Sequence, residues 1–246
     1  MVLAALAGLA LLAAPAGASG PGASAGHGAA GEVTLDGERV AVRWTDGDSF
    51  RLLGGRWRGR NARLEGYNAL EAYGPVHRWG AWTREGLHAI AAASAGLAAR
   101  EAWACGTRGR ADRYGRLLVS CPGAAEALVR AGHAMVYAVE GPGDRALLEV
   151  QRDAQRRGTG MWAGGVPAGI VTSVHSADEA DLGAGGAYDR IADTGTGRTR
   201  TVRHDRVRRT CEEVCHGRGP DRSCMVYVPF ARRYRDRPAC LRDGRT

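Results

Sequence analysis

Residues 45–71 read TDGDSFRLLGGRWRGRNARLEGYNALE. Two short runs in this stretch, Ser49–Leu53 and Arg60–Leu64, place apolar side chains at alternate positions on either side of the glycine-rich turn Gly54-Gly55. A period of two marks a half-buried strand. Toward the N-terminus, Val40–Trp44 is a third such run, joined to Ser49–Leu53 by the turn Thr45-Asp46-Gly47-Asp48. Toward the C-terminus, residues 77–98 repeat apolar side chains at spacings of three and four, which predicts a helix. Arg100–Cys105 and Arg116–Cys121 read as two more strands, followed by helices over Ala124–Ala131 and Arg145–Arg157, the second stopping at Gly158 as a C-cap would.

Five short strands, with a helix after the third and helices at the end, describe a small closed barrel. The expected fold is mainly β with helices (α+β), an OB-type five-stranded barrel packed with about three helices, plus a small disulfide-rich C-terminal module. A chain of 246 residues, 44% hydrophobic and 24% charged, buries an ordinary core, which excludes a disordered or fibrous protein. All 34 basic residues are arginine, against 26 acidic ones, for a net charge of +8. The surplus is local. Residues 198–246 hold 14 Arg and 6 Asp/Glu, whereas residues 1–197 hold 20 of each. Net basicity points to a polyanionic partner without saying whether the chain binds or cuts it.

Residues 2–14 (VLAALAGLALLAA) are apolar, too short for a membrane span, and followed by Ala16-Gly17-Ala18. That is the pattern of a signal peptide over residues 1–18, with a buried apolar helix as the alternative. Export to the extracellular space or a periplasm follows, with no stable membrane association. Residues 19–31 read as a Gly/Ala-rich linker, 32–162 as the barrel domain, 163–197 as a second linker, and 198–246 as an Arg-rich, cysteine-stapled module. Six cysteines suit an exported protein with disulfides. Cys105 and Cys121 flank a hairpin and are placed for cross-strand bonding. Cys211, Cys215, Cys224 and Cys240 leave three pairings open, and zinc is disfavoured because no CxxC pair occurs. In the tail, Arg232-Arg233-Tyr234-Arg235 interleaves cations with an aromatic, a pattern that suits phosphate attraction and base stacking.

Three segments carry chemistry: Asp46-Gly47-Asp48, the loop from Arg63 through Asn68 and Ala69 to Glu71, and Asp112-Arg113-Tyr114-Gly115-Arg116. Together they supply hard-oxygen metal ligands, a carboxylate base and two guanidinium forks. That is the inventory for cutting a phosphodiester.

These motifs, in this order and continuing through Glu126–Gly132 to Met161-Trp162, resemble the staphylococcal nuclease-like (thermonuclease) family over roughly residues 32–162. The resemblance implies an OB-fold barrel and Ca²⁺-dependent hydrolysis of DNA and RNA. It implies catalytic roles for Arg63, Arg116 and Glu71, and metal ligation by Asp48, Asn68 and the Ala69 backbone carbonyl, with Asp46 behind these ligands. It places Arg113 and Tyr114 beside the nucleotide phosphate and base, and Tyr137, more loosely, near the nucleotide. One departure stands out: the second metal carboxylate of the family is here the neutral Asn68, which weakens the case for calcium over another divalent cation. The expected function is an exported, metal-dependent, sugar-nonspecific endonuclease with 3′-phosphate products, acting on DNA and RNA as a monomer. The alternative is a non-catalytic nucleic-acid-binding barrel.

Overall fold

The computed structural model describes residues 28–179, 185–233 and 238–242. The expected signal peptide and residues 19–27 of the expected first linker lie outside the described residues. Strands β1 (Ala29–Leu35), β2 (Glu38–Trp44), β3 (Ser49–Leu52) and β4 (Asn61–Leu64) form an antiparallel meander. Their inner faces follow from the alternation in sequence. β2 buries Val40, Val42 and Trp44 and exposes Ala41 and Arg43, β3 buries Phe50 and Leu52, and β4 buries Ala62 and Leu64. The same alternation turns Arg63 away from the core.

After β4 come β5 (Tyr67–Ala69) and β6 (His77–Trp79), then α1 (Arg84–Ala98), β7 (Trp103–Cys105), β8 (Leu117–Val119), α2 (Pro122–Arg130), β9 (Ala134–Val136) and α3 (Arg145–Arg156). β7 runs parallel to β1 at one edge of the meander and β8 parallel to β4 at the other, giving a curled six-stranded sheet. The two edges then meet. Gly106 and Ser120 exchange backbone hydrogen bonds of 2.9 Å each, and Cys105–Cys121 is a disulfide at the same point. The sixth strand is β1, which begins inside the stretch expected to be linker and has too short an apolar alternation to stand out in sequence.

The helix expected over residues 77–98 starts later. His77–Trp79 is a strand, and Gly80 turns the chain at φ +53°, where a side chain would run into the Gly164 carbonyl. Thr83 then caps α1, its hydroxyl accepting from the Gly86 amide at 3.1 Å. Apolar spacing extends across the turn, so spacing alone overran the boundary.

Residues 163–197, expected to have little regular structure, carry most of a sheet. β10 (Gly169–Ser173), β11 (Ala187–Asp193) and β12 (Thr199–His204) pair in sequence order. β11 escapes a search for alternation because it buries Asp189, whose carboxylate accepts from Arg208 Nη2 (2.8 Å) and His216 Nε2 (2.8 Å) and lies 3.2 Å from His204 Nε2. Burial opposes the charge of Asp189, yet these partners hold it below the usual carboxylate range.

Two further strands, β13 (Glu213–His216) and β14 (Ser223–Val226), form a hairpin, followed by short helices α4 (Phe230–Arg233) and α5 (Ala239–Arg242). Of the three possible pairings of the last four cysteines, the structure has Cys211–Cys240 and Cys215–Cys224. β14 also pairs with β6, so the C-terminal strands extend a sheet begun in the segment just after Glu71. Arg78 forks onto Glu213 at 2.9 and 2.6 Å across this seam, and Arg84 adds a third contact at 3.0 Å. Arg78 foremost, and Arg84 with it, hold the Glu213 carboxyl at about 2.

Candidate active site

The Asp46-Gly47-Asp48 turn is fixed by its own polar groups. Asp46 Oδ1 accepts from the Asp48 amide at 3.1 Å, and the Thr45 amide reaches Ser49 O at 2.9 Å. Gly47 is required by packing, because a side chain there would lie 2.9 Å from Ala69 Cβ and 3.0 Å from Ser94 Cβ. Buried Tyr67 pins the turn from below, donating to Gly47 O at 2.9 Å. The turn is thereby pressed against β5.

That approach brings the expected metal ligands together. Asp48 Oδ2 accepts from the Ala69 amide at 2.7 Å, and Asn68 Nδ2 donates to Ala69 O at 2.7 Å. Arg63, reaching in from β4, pairs with Asp48 Oδ1 and donates to Asn68 Oδ1 at 2.7 Å. Burial alone would raise Asp48, but the Arg63 guanidinium and the Ala69 amide hold its carboxyl below the usual range. Burial, and then the charges of Asp48 and Glu71, push Asp46 well above it. Glu71 is pushed up by burial and by Asp48, against the opposing charges of Arg233, Arg63 and Arg116. Three carboxyls thus share one small region with two of the expected arginines.

Arg116 comes from the turn before β8. Asp112 organises it: its Oδ1 accepts from the Tyr114 and Arg116 amides at 2.9 Å each, and its Oδ2 takes Arg116 Nε at 2.7 Å. The arginine is oriented by that carboxylate with most of its fork free. Tyr114 stands out of the turn with Arg113 and Arg116 at 4.6 and 5.6 Å from its ring centre. Tyr137, just past β9, faces the same region and contributes to the charge environment of Arg63.

Residues 62–164 match the family model described as staphylococcal nuclease homologue. Over this stretch the chain is similar to that family. No curated protein matches the chain. The matched stretch of the nuclease-homologue domain contains Arg63, Asn68, Ala69, Glu71 and Arg116. Asp46 and Asp48 precede it and are joined to it by the β3–β4 pairing and the Asp48–Ala69 bond.

Members of the family generally depend on a divalent cation. The donor set here fits one: the Asp48 carboxylate, the Asn68 amide oxygen and the Ala69 carbonyl are hard oxygens linked in a single hydrogen-bonded cluster. Among the described residues, one group of three His, Cys or carboxylate side chains lies close together, Glu213 with Cys215 and Cys224, and it is no alternative, since both sulfurs are in a disulfide.

Four residues that sequence reasoning did not place at the nuclease-homologue site approach it from the C-terminal strands. Tyr188 accepts from Arg113 Nη2 at 2.6 Å, and Arg190 Nη1 donates to the Tyr137 hydroxyl at 3.2 Å. Phe230 lies parallel to Tyr114, and the charge of Arg233 is the strongest acting on Glu71. Only Arg233 had a sequence signal, the cation–aromatic alternation of the tail. Tyr188 and Arg190 sit in the stretch that read as linker.

Proposed function

We propose that this chain is an exported, metal-dependent, sugar-nonspecific endonuclease that hydrolyses phosphodiesters of DNA and RNA to 3′-phosphate ends. The observation that carries the reading is the hydrogen-bonded cluster of Arg63 with the Asp48, Asn68 and Ala69 oxygens, close enough to Glu71 for the charges of Arg63 and Arg116 to act on it. The three disulfides and the absence, among the described residues, of a helix long and apolar enough to cross a membrane are compatible with export.

Arg63 and Arg116 take the non-bridging phosphate oxygens; guanidinium forks bind them bidentately and stay charged at any working pH. Their charge meets the negative charge that grows in the transition state, where one lost donor costs about 10²–10³ in rate. Glu71 orients a water in line with the scissile bond and accepts its proton as the water oxygen bonds to phosphorus. The bond from phosphorus to the 5′-oxygen breaks, and that oxygen takes up a proton from solvent. Asp48, Asn68 and Ala69 O would hold the cation, calcium in the first instance, which supplies Lewis-acid charge against the phosphate when bound. Asp46 braces the ligand turn through the Asp48 amide.

Digestion of DNA and RNA over a titration of Ca²⁺, Mg²⁺ and Mn²⁺, with end-group analysis, tests the reading. EDTA should abolish cleavage, and Glu71→Gln should leave a folded but inactive protein. Unchanged digestion by Glu71→Gln sinks the role given to that carboxylate. The second reading, a barrel that binds nucleic acid without cutting it, is favoured by Asn68, whose neutral side chain lowers the charge available to a cation. Binding without cleavage in all three metals would establish it.

A further inference from the structure

The chain beyond the matched stretch does more than staple itself. Three contacts and one close approach run from it to the nuclease-homologue site, and they come from two separate elements, β11 and α4. α4 places Phe230 against Tyr114 with ring centres 6.3 Å apart and planes within 11° of parallel. Centre distances of this size belong to offset stacking. Both rings remain about half open, at 47% for Tyr114 and 49% for Phe230, so the pair presents an aromatic face to solvent rather than a buried contact.

Cations surround that face. Arg113 and Arg116 stand over Tyr114, and Arg233 lies 5.7 Å from the centre of Phe230. Arg233 also reaches the catalytic side. A side chain at Gly74 would meet Glu71 Oε2 at 3.1 Å and Arg233 Cδ at 3.5 Å, so the carboxylate and the arginine stem flank one point of backbone. The Arg233 Nε is tied to Val228 O at 3.1 Å, which fixes the stem and leaves the terminal nitrogens of the fork to other partners.

We propose that the C-terminal module forms a second wall of the cleft and a binding subsite for single-stranded nucleic acid, with the Tyr114–Phe230 pair stacking one base and Arg233 holding a phosphate next to the one being cut. Open aromatic faces set among arginines are the chemistry of sequence-tolerant single-strand binding, because every base has a π-face and every nucleotide a phosphate. A base in a duplex is already stacked on both sides and cannot use the face without unpairing. The subsite therefore favours single strands or frayed ends over intact duplex. It rests on the proposed nuclease reading for the identity of the scissile phosphate, but not for binding itself.

Binding of a fluorescent twelve-nucleotide single strand to the full chain is measured in EDTA, which removes cleavage, with the matching duplex in parallel. The wild type should prefer the single strand. Phe230→Ala should weaken that binding about ten-fold, with Phe230→Trp restoring it, and leave the duplex nearly unaffected. Arg233→Gln should lower the slope of log affinity against log salt by about 0.7, the loss of one phosphate contact on a single strand. Equal affinity for single strand and duplex, or Phe230→Ala and Arg233→Gln proteins that bind as the wild type does, overturns the proposal. So does faster cleavage by Arg233→Gln, which would make the tail a block over Glu71. A wild type that binds the single strand by this pattern yet cuts nothing in metal refutes the nuclease reading and leaves the subsite standing.

Discussion

The barrel and the C-terminal strands reach a fixed structure by different means. The barrel fills its interior with side chains such as Val42, Trp44, Phe50, Leu64, Leu117 and Leu128, and closes its sheet on itself. Among the described residues, the C-terminal strands are held by two small apolar clusters of their own, around Val171 and Ile191 and around Val76 and Val228, while Ile170 and Ala192 pack into a larger one with Trp79 and Leu87. They add two disulfides and a buried charge network in which Asp189 gathers Arg208, His204 and His216. An apolar core tolerates the loss of one contact as a cavity, whereas a buried ion network left with an odd charge has no cheap relaxation. The two regions should therefore fail differently.

The sharpest break is Asp189→Ala. It leaves Arg208, which is buried, without its closest carboxylate, and should cost about 3–5 kcal/mol in chemical denaturation. Hydrogen exchange should show the opening in β11–β14 with β1–β4 still protected; equal loss of protection in both regions would erase the distinction. Next, Arg116→Gln should cut the proposed cleavage by about 10²–10³ with the melting temperature little changed, since its fork is held at the surface by Asp112 alone. A large fall in stability would instead make this arginine part of the scaffold. Removing the Cys215–Cys224 disulfide by a double serine substitution should cost about 2–4 kcal/mol, again confined to the C-terminal strands by exchange.

The smallest expected effect is on the seam between the regions, read by pH. His77 in β6 is buried beside the Val171 backbone, and burial, only partly offset by that backbone group, lowers its pKa to about 4. The unfolded chain binds that proton near 6.5 and the folded chain does not, so stability should begin to fall below pH 6.5 and go on falling toward 4. Glu213 acts lower: its contribution is complete above about 4.5 and lost as pH falls toward 2. His77→Phe should remove the upper arm of the stability curve and leave the lower one. A curve unchanged by His77→Phe would show that the ring does not govern the seam.

The same contrast explains what could be read from sequence. β2, β3 and β4 alternate cleanly, so their positions are legible to within a residue or two, and the order of Asp48, Arg63, Glu71 and Arg116 along the chain points to the candidate site. Asp48 and Arg63 meet because Gly47 lets the turn press onto β5, a constraint carried by one residue. β6 was read into a helix because its apolar spacing continues into α1, and its true partner lies on β14, far along the chain. β11 carries a charge where a strand would show an apolar residue. Neither a long-range pairing nor a buried ion has a local signature.

The β6–β14 pairing has one further consequence, for the order in which the molecule is made. Arg78 and Glu213 are 135 residues apart, and Phe230 and Arg233 come later still. A chain emerging from the ribosome has exposed Arg63, Glu71 and Arg116 long before the strand that seals β6 exists, and the proposed second wall is translated after that strand. A chain cut short before residue 213 would keep those three side chains while lacking both the seam and that wall. Whatever the C-terminal strands add to the cleft is thus withheld until well over a hundred residues after Arg78 have followed it out.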